Sequence, residues 1–593
     1  MLHFLKPLRT SMSSLEVGGG VERPRVGIEF ALPRMMRTHF LNEAAVVLAA
    51  SVLMSACTGQ LLSPSSATKT PIDKAIAGAC GANTASGHAM IHRLSNIEYN
   101  NTIRDLLYTN ATPGDLFASS SVGAGGFANE SDVLTVSDQI VTEYAHAAET
   151  LADAVLASKG QPGGAWGALT GCAATVASPS ADCVKSVVLG FAERAFRRPV
   201  DADDLERLMT VYVAGGSFAQ GFHDVVVATL VDPLFLFSYI KHPSPDDPKV
   251  MVALNDYELA SRLSYALWQS MPDDTLRALA AAGQLKDAAT MQTQIVRMLK
   301  DGKAVSLATA FRHDWAALSL LDGSGGYGGL PSSFTDQLRQ ETQLFIEDAF
   351  MNDQSILSLV TGKETFVNKE VAAYYGWNVP TAISSDFVKV AIPDANRRGV
   401  LTQGAIMLAV GGGESYTHPV QRGRWVMANL LCAAPGSPPP GVPPLDTTNT
   451  ADLPIRDRLA AHVASPACNG CHVTMDVYGL GLENFDLQGK WRTTYPELNN
   501  LTIDASGALP SDGGTFTQPA GMIDLLAKND AVKTCLAQKV MVYALARPLA
   551  GTDDLCTAQV LGQKYAQSDS KLSELFGHMT QSPQFLMQQG AAQ

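Results

Sequence analysis

ACNGCHVTMD, residues 467–476, contains Cys468-Asn469-Gly470-Cys471-His472, a C-x-x-C-H. Such a run fits a covalent haem attachment, a redox dithiol, half a zinc site or coincidence. Nine cysteines and twelve histidines in 593 residues give about 0.003 matches from composition alone, which argues against coincidence. Zinc needs four ligands, yet the sequence has no second C-x-x-C and His462 is the only other close donor. A thioredoxin-type dithiol opens a helix in a βαβ setting, a pattern absent around residue 468. Haem uses every element. Two thiols three positions apart share one helical turn, so both reach the vinyl edges of one haem c, and His472 stands under the iron as proximal ligand. The competing reading is a structural disulfide, Cys468–Cys471.

The sixth iron ligand is less determined. Met475 lies one turn after His472, on the same side of the ring. His418, Met522 and Met541 are the candidate distal ligands, and an open sixth position suits small-molecule chemistry. Arg422, Arg424 and Arg492, with Trp491, are candidates to hold haem propionates through charge-assisted hydrogen bonds. Surface ion pairing is their alternative role.

The N-terminus reads as an export address. Ala44 to Ala56 is apolar, of signal-peptide length and too short to span a bilayer. It ends at Leu53-Met54-Ser55-Ala56-Cys57, which resembles a bacterial lipoprotein signal with Cys57 as the lipidated residue. Thr58 after it favours the outer membrane. Met35 or Met36 stands where such a signal begins. Export changes the cysteine arithmetic. With Cys57, Cys468 and Cys471 set aside, Cys80, Cys172, Cys183, Cys432, Cys535 and Cys556 remain, an even set that fits disulfides in an oxidising compartment. Local loop closure suggests Cys172–Cys183 and Cys535–Cys556, leaving Cys80–Cys432.

Helical periodicity dominates the rest, so the expected class is mainly α, a multi-domain helical protein with a c-type-cytochrome-like segment and a small β-hairpin near the C-terminus. The expected divisions are a signal region 1–56, a flexible tether 57–89, helical domains 90–160, 172–245 and 253–380, a C-x-x-C-H domain 395–495 with a Pro-rich linker 435–444, and a C-terminal domain 500–590. Ser95-Asn96-Ile97-Glu98 is a capping box, and Asn255 with Glu258 repeats the pattern. The apolar run Val225–Ile240 reads as one buried helix by its length. Ile503–Phe516, with Gly507 and Gly513-Gly514, is the hairpin candidate, and two helices are expected after it. Net charge is −14 with no basic run, which argues against a nucleic-acid surface. Gly411–Ser415 lacks the glycine framing of a nucleophile elbow.

Six segments then form a recognisable order: HRLSNIEYNNTIRDLL (92–107), FAERAFRRPV (191–200), LASRLSYALWQSMPDD (259–274), RRGVLTQGAIML with HPVQRGRWVMANLLC (397–408, 418–432), CNGCHVTMDVYGLGLENFDLQGKWR (468–492) and CLAQKVMVYALARPL (535–549). Together they resemble the tandem domains of unknown function in planctomycete-type, haem-binding cytochrome c proteins. The resemblance implies an exported, helical, multi-domain protein with c-type haem at Cys468, Cys471 and His472. It names no substrate. Some relatives carry a further N-terminal cytochrome module with its own C-x-x-C-H; this sequence has one such motif.

Two functions are expected from these readings. One is an exported lipoprotein, outer-membrane or periplasmic, with one covalent haem, acting with an unknown redox partner as electron carrier or oxidoreductase. The other is a haem-free surface lipoprotein that binds glycans or partner proteins.

Overall fold

The computed structural model describes residues 92–119, 121–238, 243–244, 247, 249–322, 328–378, 384–411, 417–436, 453–463, 466–511, 513–566 and 571–590. The signal region, Cys57, the tether, Cys80 and most of the Pro-rich linker lie outside the described residues.

Helices begin where the caps predict. Ser95 Oγ accepts from the Glu98 amide at 3.2 Å, and the Glu98 carboxylate accepts from the Ser95 amide at 2.8 Å. This satisfies two orphan donors of Asn96–Leu107. Asn255 and Glu258 do the same for Asp256–Trp268. On the first helix Tyr99, Ile103, Leu106 and Leu107 are buried, as a 3.6-residue period requires.

The apolar run 225–240 is not one helix. Phe218–Leu230 stops, a short helix Pro233–Leu236 comes next, and Phe237–Ser238 is a strand. Pro233 has no N–H to donate and forces the preceding residue out of helical backbone. Asp232 is accordingly extended, and its carboxylate caps the Leu234 amide at 2.9 Å. The C-terminal unit also holds more than the two helices expected: Pro519–Lys528, Asp530–Leu545, Gly551–Ala566, Leu572–Met579 and Pro583–Leu586.

Strands are short antiparallel pairs. Gly507–Ala508 pairs with Thr515–Phe516, the expected hairpin, with Gly507 in the strand instead of the turn. Glu364–Val367 with Val388–Ala391 is a pair the sequence did not suggest. Met251–Ala253 pairs with Met587–Gln589, so the chain end closes back on the start of the third helical unit. Among the described residues no helix is long and apolar enough to cross a membrane.

Among the described residues, burial is organised in two large cores and one small one. The first runs from Leu94 to Leu236 and takes in Tyr265 and Met271. The second spans Leu254 to Phe585 and also takes in Phe127. Its link to Phe127 is the loop 123–131, held by Asn129 to the Tyr543 carbonyl at 3.0 Å and by Lys539 to the Gly125 carbonyl at 2.8 Å. The small core is built on Ile455, Leu459, Leu480, Tyr495, Ile503 and Ala505.

The large core contains a carboxyl group. Glu341 is 1% exposed. It accepts hydroxyl bonds from Tyr375 at 2.6 Å and Thr365 at 2.9 Å. Burial pushes its carboxyl from 4.5 up to about 7. Between those values the folded protein binds the extra proton, so stability falls as pH rises through that window. The loss at higher pH is about 3 kcal/mol. Thermal unfolding should therefore show declining stability from about pH 5 to about pH 8, and Glu341→Gln should flatten that decline. An unchanged slope in the variant would place the dependence elsewhere.

Candidate functional site

The C-x-x-C-H opens the helix Pro466–Leu480. Near its start Asn469 and Cys471 are exposed, and Val473 is 55% exposed. Its C-terminal half is enclosed, with Met475, Asp476, Tyr478 and Leu480 buried. Met475 and Tyr478 belong to the large core, and Leu480 to the small one. The helix thus changes environment along its length, and the motif sits at the accessible end. The Cys468 side chain lies outside the described residues.

Two glycines explain how the enclosed half is held. A Cβ on Gly423 would lie 2.0 Å from the Met475 carbonyl oxygen, and one on Gly479 would lie 1.8 Å from that of Pro419. The helix Pro419–Leu430 therefore crosses Pro466–Leu480 backbone to backbone. Residue 419 meets 479 and 423 meets 475, so the two run antiparallel. That register puts the motif toward the Leu430 end. It puts His418, which precedes Pro419, toward the Leu480 end, about 12 Å along the axis from the level of His472.

His472 is oriented by a residue that sequence reading passed over. Its Nδ1 lies 3.0 and 3.2 Å from the two carboxylate oxygens of Asp476. Asp476 is four residues on, hence on the same face one turn away. A ring that donates from Nδ1 carries its ligating lone pair on Nε2, the tautomer that iron ligation uses. Burial raises the Asp476 carboxyl, and the adjacent His472 pulls it back. The i,i+4 spacing of His and Asp was the available signal.

The arginines are placed differently from expectation. Arg422 is 1% exposed. It donates to the carbonyls of Leu482, Phe485 and Asp486 at 2.7–3.1 Å, so it braces the chain after the motif helix. Burial pulls its guanidinium down to about 10. Arg492 pairs with buried Glu483 at 2.7 Å, and Thr417 donates to the same carboxylate at 2.6 Å. Both arginines brace the segment 482–492 that leaves the motif helix. Arg424 is exposed. Trp491 packs edge-on to Phe485.

The distal-ligand candidates scatter. Met522 is fully buried, and its sulfur packs against Gly481 beyond the far end of the motif helix. Met541 is fully buried in Asp530–Leu545. Met475 is 5% exposed and rests on Gly423.

Cysteine pairing needs a correction. Cys172–Cys183 is a disulfide. Cys432 pairs with Cys535, not with Cys80, and Cys535 does not pair with Cys556. Cys432 follows the Pro419–Leu430 helix, which packs on Asp530–Leu545. Tertiary packing, not loop length, set this pair. Cys556 is disulfide-bonded. Cys471 is a free thiol.

The donor set fits a c-type haem: a helical C-x-x-C, an exposed thiol at Cys471, and an imidazole held at Nδ1. Fold and site together define a mainly α, multi-domain helical protein with short antiparallel β pairs. Five family models match in order, each described as a protein of unknown function: DUF1587 at 92–157, DUF1595 at 183–239, DUF1592 at 254–377, DUF1588, termed PSCyt3, at 397–495 and DUF1585 at 512–585. This is the architecture of the planctomycete-type multi-domain cytochrome c family, to which the chain belongs. Both crossing helices lie within the PSCyt3 match. No curated protein and no solved structure matches the chain.

Proposed function

We propose that this chain is an exported lipoprotein carrying one covalent haem c, active in extracytoplasmic electron transfer or haem-dependent oxidoreduction. The observation that carries the reading is the His472–Asp476 pair beside the exposed free thiol of Cys471 on one helix. Bound haem supplies a one-electron ferric/ferrous couple. Cys468 and Cys471 would hold it by thioether bonds, and His472 would offer its iron an imidazole nitrogen. The enclosed half of the helix keeps that ligand in place, through the Gly423 and Gly479 contacts and the Arg422 bonds. The exposed turn presents the attachment edge to a redox partner. A free Cys471 supports this over the disulfide reading. The sixth position remains with His418, Met522, Met541 or an exchangeable ligand, and the register argument weakens His418.

The test is covalent attachment. Protein matured in a c-type-competent export host should keep a haem stain and c-type absorption through denaturing electrophoresis. Cys468→Ala with Cys471→Ala should lose the stain, and His472→Ala should alter the spectrum. Unstained wild-type protein would leave the glycan- or partner-binding reading in its place.

Anchoring is tested separately. The run Ala44–Ala56 before Cys57 motivates Cys57→Ser, which should move the protein from the membrane fraction to the soluble periplasmic fraction. Unchanged fractionation would argue against lipidation.

A further inference from the structure

We infer that Asp476 is a positioning residue that lowers the reduction potential of a haem held by His472. The inference rests on the proposed haem attachment and adds a direction to its redox chemistry. His472 Nδ1 faces both oxygens of a carboxylate, at 3.0 and 3.2 Å, within one helical turn. The acceptor is a charged side chain, and its side chain is only 9% exposed. Such a bond is roughly twice as strong as one to a neutral acceptor, and little water competes for it. Of the nearby arginines, Arg422 donates to three carbonyls and Arg492 pairs with Glu483.

The direction of the effect comes from charge. A carboxylate at Nδ1 draws the ring proton toward itself and raises the basicity of Nε2. A more basic ligand favours the ferric ion, which carries one more positive charge than the ferrous ion. Electron loss is thereby made easier, with no bond made or broken. A lowered potential makes the site a stronger donor toward an electron acceptor of higher potential.

The experiment is spectroelectrochemical titration of the mature holoprotein, wild type against Asp476→Asn and Asp476→Glu. Asparagine keeps an oxygen acceptor and removes the charge. It should shift the ferric-to-ferrous ratio at least tenfold toward ferrous, a rise of about 59 mV for one electron. Glutamate, which restores the charge, should return most of the shift. An Asp476→Asn protein with intact c-type bands and an unmoved potential overturns the inference. Should that variant fail to mature, redox-difference infrared spectra of the wild type decide: a carboxylate band that moves with oxidation state supports the inference, and none overturns it. Wild type without covalent haem overturns the attachment reading, and this inference with it; haem present with an unmoved potential overturns the inference alone.

Discussion

Gly479→Ala is expected to destabilise the folded protein by about 2 kcal/mol or more, because overpacking of this kind costs 1–3 kcal/mol or above. The added methyl group would sit 1.8 Å from the Pro419 carbonyl oxygen. That neighbour is backbone, so no rotamer change relieves the clash and the two helices must separate. Helix propensity pulls the other way, since alanine is favoured over glycine by roughly 1 kcal/mol in a helix interior. The prediction is thus a test of sign. Gly423→Ala, with 2.0 Å to the Met475 carbonyl, should behave alike. The double variant should cost less than the sum, because one crossing is opened once. Denaturant midpoints for the three proteins check this. A stabilised alanine variant would mean that the helices do not cross backbone to backbone.

Removing the Cys432–Cys535 disulfide is expected to have the other large effect. The bridge spans 103 residues, and loop-closure entropy for that length is about 5 kcal/mol. The Cys172–Cys183 bridge spans 11 residues and gives about 3 kcal/mol on the same argument. Cys432→Ala with Cys535→Ala should therefore lower the unfolding midpoint more than Cys172→Ala with Cys183→Ala does. It should also loosen the Pro419–Leu430 helix, and with it the seat of the motif helix. Equal effects would show that native-state packing, not chain entropy, governs both. Non-reducing peptide maps should find Cys432 joined to Cys535.

What the sequence disclosed and what it withheld divide along physical lines. Capping boxes at Ser95–Glu98 and Asn255–Glu258 were legible because a cap is a local bond between residues three apart. The C-x-x-C-H stands out in the sequence because its residues are spaced along one helical turn. The break at Asp232-Pro233 was also local, and hydrophobic length was wrongly given more weight than the proline. The other corrections are non-local. Cys432 and Cys535 meet because two helices pack, a fact absent from their separation in the chain. The burial of Arg422 is a tertiary property, and only the fold supplies the three carbonyls it serves. The glycines at 423 and 479 carry no mark of their own until two helices are laid together. Asp476 stands four residues from His472, and the contact between them shows only once the side chains share a face.

The most direct test of the account is the intact mass of the purified wild-type chain, measured after full denaturation and reduction. Two thioethers survive both treatments, so the account predicts the mass of the mature polypeptide plus one haem, with Cys468 and Cys471 in the haem-bearing peptide. Polypeptide mass without haem, from a host that attaches haem to a control cytochrome c in the same preparation, would contradict it.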